Sequence, residues 1–275
     1  MEFSLSASSS SQPTLPPPSF LYGAAISALI YIIARSLSHR TTTVLCTKSF
    51  QEKVANLTFE QLYHYHSLLP STIHAVIQII GTYYCVFYGD KDAVVFDDEM
   101  FVSYGITGIG PSFYMGFFVG YLITDVIFAP SLKILGYPFV VHHISAAMCW
   151  TYCASYRIMQ PLASFLQFNE LSTILMNLRQ VLLTAGYTSS DPIVTIVSLS
   201  FYAIFAAVRV LPLPFVVHQW ILRDFVSIRN EVGLGGAMLL SLFLAVNVML
   251  QGSWFSMMVR KLIGMITKKP KRKEH

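Results

Sequence analysis

Residues 111–134 read PSFYMGFFVGYLITDVIFAPSLKI, with Asp125 the one charged side chain in the 22 positions before Lys133. A bilayer core about 30 Å thick is crossed by roughly 20 apolar residues of helix. Lipid offers no partner to an unpaired backbone group, so only helices or closed barrels can cross it. Six further stretches share this character, near residues 20–38, 67–88, 139–158, 161–186, 192–220 and 233–265. They are long and none alternates with a period of two, which argues against a barrel. The connections between them are too short to fold alone. The sequence therefore predicts an all-α, multi-pass membrane protein of about seven transmembrane helices.

Composition points the same way. Of 275 residues, 54% are hydrophobic and 12% charged, against roughly 25% charged in soluble domains, which excludes a water-soluble globular chain. The net charge of +4 is a property of the tail, where Arg260 to His275 holds seven Lys and Arg against the single acid Glu274. A basic end of this kind is no surface for nucleic acid. Cys46, Cys85, Cys149 and Cys153 are too few for a disulfide framework and read as small buried side chains.

Residues 1–19 are rich in Ser and Pro, lack the basic region of a cleavable signal, and are expected to be a disordered leader to the first helix at 20–38. Thr58 and Gln61 have the spacing of a capping box. They are expected to open a short amphipathic helix through His66 at the membrane surface, with Ser67 and Pro70 starting the second span. With seven spans, one side collects Arg35, Arg40, Lys48, Lys53, Lys133 and the tail, 12 Lys and Arg against four (Lys91, Arg157, Arg223 and Arg229). The positive-inside rule then puts the C-terminus and the basic tail 266–275 in the cytoplasm, and the acidic loop Asp90 to Glu99 opposite. Lys271 and Lys273 stand fifth and third from the end, the form of a dilysine retrieval signal for the endoplasmic reticulum.

Ionisable groups at membrane depth cost on the order of 2.5–3.5 kcal/mol each, so several together call for a water-filled or mutually paired interior. His74 and Gln78 share a face of span two, Asp125 lies in span three, and His142 and His143 open span four. Span five carries Asn169, Glu170, Thr173, Asn177 and Arg179, span six Arg209, and span seven Asn247 and Gln251. Glu170, Thr173 and Asn177 form one helical stripe, with Arg179 nearly opposite Glu170. Pairing across helices accounts for Asn247, Gln251 and Gln78, and a buried pair between Asp125 and Arg209 would account for both without chemistry. A His pair, an acid and an arginine on separate spans exceed what a bundle needs for stability, so His142, His143 and Glu170 are candidates for function.

Adjacent histidines point about 100° apart on a helix, unlike the i, i+4 pair of a metal box. No metal site is expected, and no phosphate loop, dinucleotide fingerprint or nucleophile elbow is present to imply a cofactor. Ser112, Gly116, Gly120 and Thr124 recur every fourth residue, so another helix is expected to pack closely there.

Four pieces in order resemble the TLC-domain family, the membrane domain of ceramide synthases and translocating-chain-associated membrane proteins. They are Gly120 to Asp125, the His142–His143 pair, Asn169 to Thr173 with Asn177 and Arg179, and Val208–Arg209. The resemblance covers residues 58–265 and is nearest to small TLC proteins of undefined function. It implies a six-helix bundle around a polar-lined cavity for a lipid or acyl chain, with an additional helix at one end. Ceramide synthases follow the His pair with a His-Asp-x-x-Asp element where this chain has Asn169–Glu170 and Asn177. Two functions remain. The favoured one is non-enzymatic lipid handling, with His74, Asp125, His142, His143, Glu170, Asn177 and Arg209 lining the cavity. The other is an acyltransferase, drawing on acyl-CoA, in which His142 or His143 is a general base oriented by Glu170.

Overall fold

The computed structural model describes residues 15–44, 46–87, 110–156, 158–218, 223 and 225–267. The acidic loop 90–99 and most of the leader and basic tail lie outside the described residues. Helices follow one another as α1 (Pro18–Val44), α2 (Lys48–Ala55), α3 (Phe59–Phe87), α4 (Pro111–Phe128), α5 (Leu132–Leu135) and α6 (Tyr137–Tyr156). Then come α7 (Gln160–Leu166), α8 (Glu170–Thr184), α9 (Pro192–Phe205), α10 (Leu213–Val217) and α11 (Phe225–Thr267). The described residues are all-helical and contain no strand.

Four helical stretches are long and apolar enough to cross a membrane: Pro18–Val44, Pro111–Phe128, Pro192–Val217 and Phe225–Gly264. The other three expected spans are helical too, but they carry the polar load. His74 and Gln78 dilute α3, and His142 and His143 dilute α6. The expected span 161–186 is helical from Gln160 to Thr184, tightened by a single 3-10 turn at Gln167–Asn169 between α7 and α8.

Thr58 and Gln61 do form a capping box. The Thr58 amide donates to Gln61 Oε1 at 2.9 Å and the Gln61 amide to Thr58 Oγ1 at 3.3 Å. The helix it opens does not stop at His66, however, and runs unbroken to Phe87 with Pro70 inside it. A proline there removes one backbone donor, and neighbouring helices can satisfy what it frees. Asn177 of α8 docks on that turn, its Nδ2 donating to Ser71 Oγ and Thr72 Oγ1, both at 3.0 Å.

The small-residue stripe of α4 meets α1. A Cβ added at Gly116 would strike the Phe20 carbonyl, and one at Gly120 the Ala24 carbonyl. On the α1 side, a Cβ at Gly23 would strike the Phe113 carbonyl. Backbone therefore lies on backbone along the whole crossing. Around it, α3 packs on α4 and α8, α6 on α4 and α11, and α8 on α9. The core joins Tyr31, Met115, Leu122, Ala147, Trp150 and Leu240. Cys149 and Cys153 are buried, Cys46 and Cys85 half-buried, and all four thiols are free. In α11 the chain bends at Gly233, whose φ of 72° and ψ of 169° suit glycine alone.

Candidate functional site

Asp125 lies in the last turn of α4, and two helices converge on it. Tyr31 of α1 donates from its hydroxyl to Asp125 Oδ1 at 2.8 Å. His143 of α6 brings Nδ1 to 3.5 Å from Asp125 Oδ2, with both side chains almost wholly buried. That separation is longer than a hydrogen bond, and Nδ1 has no other partner among the described residues. Below the carboxylate, the Tyr63 hydroxyl donates to the Asp125 backbone carbonyl at 3.2 Å, and the Arg35 guanidinium stacks 4.5 Å over the Tyr63 ring. One acid is thus held by α1, α3 and α6 together.

His74 of α3 is buried between aromatic rings. It stacks on Tyr121 at 4.1 Å and on Phe117 at 5.3 Å, and neither ring nitrogen finds a partner among the described residues. Tyr121 in turn presents its ring edge-on to His143 at 6.2 Å. His142 turns away from its neighbour, as two adjacent helical residues must. It packs edge-on against Trp254 of α11 at 5.4 Å, and its Nδ1 finds no partner among the described residues.

The second acid belongs to a different group. Arg209 sits in a π-helical turn, Ala206–Val210, between α9 and α10. Such turns re-aim a side chain within a continuous helix and recur at functional sites. Its Nε donates to the Asn169 carbonyl at 3.2 Å and to Ser172 Oγ at 2.8 Å, and its Nη2 to Thr173 Oγ1 at 3.3 Å. Glu170 Oε1 lies 3.8 Å from Nη2. The carbonyl that Arg209 takes belongs to the 3-10 turn. The π-helical turn that carries Arg209 packs on α11, as α6 does with its His pair, and α3 packs on both α8 and the 3-10 turn, so the two groups lie on neighbouring helices as one polar array.

Several pairings differ from the sequence expectations. Asp125 and Arg209 do not pair: each has nearer partners on other helices. The acid beside His143 is Asp125, whereas Glu170 lies beside Arg209. Gln251 was expected to pair across helices, yet it is buried with both ends of its amide unpartnered among the described residues. Gln78 does pair, with Gln167 of the 3-10 turn and the Tyr114 carbonyl. Arg179 donates to Ser198 Oγ at 2.9 Å, on the side away from Glu170 as the helical wheel requires. Asn177 falls on the Glu170 stripe but serves α3. Tyr31, Tyr121 and Trp254 went unnoticed in the sequence, because an aromatic ring in an apolar run carries no signal of what its edge will meet.

Between α4 and α6 a groove of 490 Å³ opens on the outer face of the bundle. Leu122, His143 and Ala147 form its buried floor, and the exposed Ile123, Ile127 and Met148 its rims. His143 is the one member of the polar array among the residues that line this groove.

A family model for the TLC domain matches residues 66–260, well over half of the chain. The chain belongs to the TLC-domain family. With its apolar helices, the match makes this TLC-domain protein an integral membrane protein. No curated protein and no solved structure matches it. The matched part of this TLC-domain protein omits α1, although α1 supplies Tyr31 to Asp125 and lies backbone to backbone on α4.

Proposed function

We propose that this chain handles membrane lipid without chemistry: it binds a lipid by its headgroup in the polar array and serves transport or homeostasis of membrane lipids. The observation that carries this reading is the set of buried polar atoms without a hydrogen-bond partner among the described residues, on His74, His142, His143, Asn169 and Gln251, drawn from four elements. A buried polar atom without a partner costs about 1–3 kcal/mol, and a bundle built only for stability has no reason to keep five such residues. A headgroup with several donors and acceptors supplies the missing partners. The chain crosses the membrane seven times in this reading, with its C-terminus in the cytoplasm and residence in the endoplasmic reticulum directed by Lys271 and Lys273.

The test is native mass spectrometry of the full chain purified in detergent. A co-purified lipid is expected, and His142→Ala or Glu170→Ala should lower its amount or change its headgroup class. A protein that carries no lipid would overturn the reading.

The approach of His143 to Asp125 favours one second reading, an acyltransferase using acyl-CoA. There His143 takes a proton from an amine or hydroxyl and Asp125, not Glu170, orients the imidazole. A general base contributes roughly 10²–10⁴-fold in rate, so His143→Ala would abolish turnover while sparing lipid co-purification. Product from acyl-CoA and a panel of sphingoid, glycerol and amine acceptors, dependent on His142 or His143, would replace the binding reading with this one.

A further inference from the structure

We infer that the second half of α1 is a pH-sensitive latch: the stacked rings of His39 and His66 hold it on α3 while they are neutral, and release it, with Tyr31 and its bond to Asp125, when they take up protons. The latch governs how the polar array is closed, whatever fills it.

The two halves of α1 are held by different means. Near Gly23 the helix lies backbone to backbone on Gly116 and Gly120 of α4, and charge has no part in that joint. From Arg35 onward the contacts are with α3 and are polar or aromatic. Arg35 reaches Ser67 and the Tyr63 ring, Ser38 Oγ lies 3.0 Å from His66 Nδ1, and the Thr42 hydroxyl lies 3.0 Å from that of Tyr65. Among them the His39 and His66 rings stack face to face, 4.1 Å apart and 14° from parallel. His66 is only 4% exposed, and the exposed His39 lies over it. Tyr31 stands about two turns before His39 on the same helix, so release of this half draws its hydroxyl from Asp125.

Charge sets the sign. Two neutral imidazoles stack readily, whereas two imidazoliums so close repel, and burial disfavours a charge on His66. The surroundings add a cation and no compensating acid. Arg35 lies one turn before His39, and among the described residues neither ring pairs with a carboxylate. On α3 itself the neighbours are Tyr63, His64 and Tyr65. The acid of α4, Asp125, accepts from Tyr31 and has His143 beside it. Lys53 of α2 and Arg179 of α8 donate to the Ala185 carbonyl and to Ser198, while Lys48, Glu52 and Glu60 are exposed. Released into water, the rings take up protons near the ordinary value of about 6.5. Below that pH the open form therefore holds at least one proton more than the docked form. Docking is favoured in full above about pH 6.5 and weakens by up to about tenfold per pH unit below it.

The experiment uses the full chain in detergent with Ala34→Cys, a thiol at a buried position between Tyr31 and Ser38. A pyridyl disulfide labels it only when this half of α1 opens. Native Cys153, wholly buried in α6, reports opening of the whole bundle in the same sample. Peptide mass spectrometry reads both rates, and their ratio cancels the effect of pH on thiol reactivity. From about pH 7.5 to about pH 5.5, the rate at position 34 relative to Cys153 should rise about tenfold. His39→Phe combined with His66→Phe keeps two stacked rings and removes both titrating groups, so in that chain the ratio should stay level. Should the pair fail to fold, His66→Gln, whose amide can still bond Ser38 and does not titrate, carries the same expectation. A level ratio in the chain with both histidines, whether both rates are steady or both rise as the bundle unfolds in acid, overturns the latch. An equal rise in the variants without the titrating pair overturns it as well.

Discussion

Asp125 is the residue on which the fold and the candidate site meet, and its hydrogen bond from Tyr31 is the simplest to remove. Tyr31→Phe keeps the ring and its packing against Tyr121 and Phe128 and deletes only the donor. Hydrogen bonds between membrane helices average about 0.6 kcal/mol, but a buried acceptor left short of a partner costs about 1–3 kcal/mol. Asp125 is 2% exposed, so the larger range applies. Tyr31→Phe should lower stability by about 1–2 kcal/mol in an unfolding titration with denaturing detergent. Asp125→Asn, which still accepts from Tyr31, should lose less. A Tyr31→Phe protein as stable as the native one would show that the contact holds nothing. At this scale the sequence was informative about charge and silent about partners. Asp125, His143, Glu170 and Arg209 stand out because each is an anomaly in an apolar run. Tyr31 and Tyr121 do not, since a phenol ring belongs as readily to a lipid-facing surface as to a buried site. Which acid joins which base is set by three-dimensional packing alone, and so the sequence could not separate an Asp125–Arg209 pair from the observed Tyr31–Asp125 and Glu170–Arg209 neighbours.

Among the elements, the crossing of α1 and α4 is the tightest joint, and its glycines give a contrast within one protein. Gly120→Leu drives a side chain into the backbone of α1 at Ala24. Since backbone cannot yield as a flexible side chain does, the cost should reach or exceed the 1–3 kcal/mol or so of ordinary overpacking. Gly252→Ala in α11 meets open space, and there alanine should stabilise by about 0.5–1 kcal/mol through helix propensity. Thermal melts of the two variants in one detergent should move in opposite directions; a tolerated Gly120→Leu would mean that α1 is not held on α4. The four-residue stripe was readable in sequence because small side chains at helical spacing have one main use in a membrane. The partner helix was not readable, and neither were the irregular turns. At the 3-10 turn Gln167–Asn169, the Asn169 carbonyl accepts from Arg209, some 40 residues on, a contact no local pattern announces. Pro70 reads in sequence as a helix start, yet it lies inside α3, where Asn177 donates to the Leu68 carbonyl and to Ser71 Oγ on either side of it.

For the molecule in its membrane, three contacts fix which segments share an end. Lys53 of α2 donates from Nζ to the Ala185 carbonyl at 2.6 Å, which puts the C-terminal end of α8 beside α2. His64 near the start of α3 lies 3.0 Å from the Ile134 carbonyl, which puts the turn after α4 at that same end. The Arg35 guanidinium donates to Ser67 Oγ at 2.8 Å, tying the end of α1 to the same level of α3. Arg35, Arg40, Lys48, Lys53 and Lys133 therefore gather on one side, and this is the side that the positive-inside rule assigns to the cytoplasm. Asn56–Leu57–Thr58, the only glycosylation sequon in the chain, lies among them between α2 and α3. Glycosylation requires exposure on the far side of the membrane, so Asn56 should stay unmodified when the chain is made in a secretory membrane. Glycosidase digestion should leave its mobility in a gel unchanged, and Asn56→Gln should migrate with the native chain. A shift on digestion that disappears in Asn56→Gln would invert the orientation. The Lys53–Ala185 and His64–Ile134 contacts would survive that result, since they state only which ends are neighbours. The basic cluster would then face away from the cytoplasm, and residues 271–273 could no longer be read by a cytoplasmic retrieval receptor. One gel therefore bears on the orientation and on the proposed residence in the endoplasmic reticulum together.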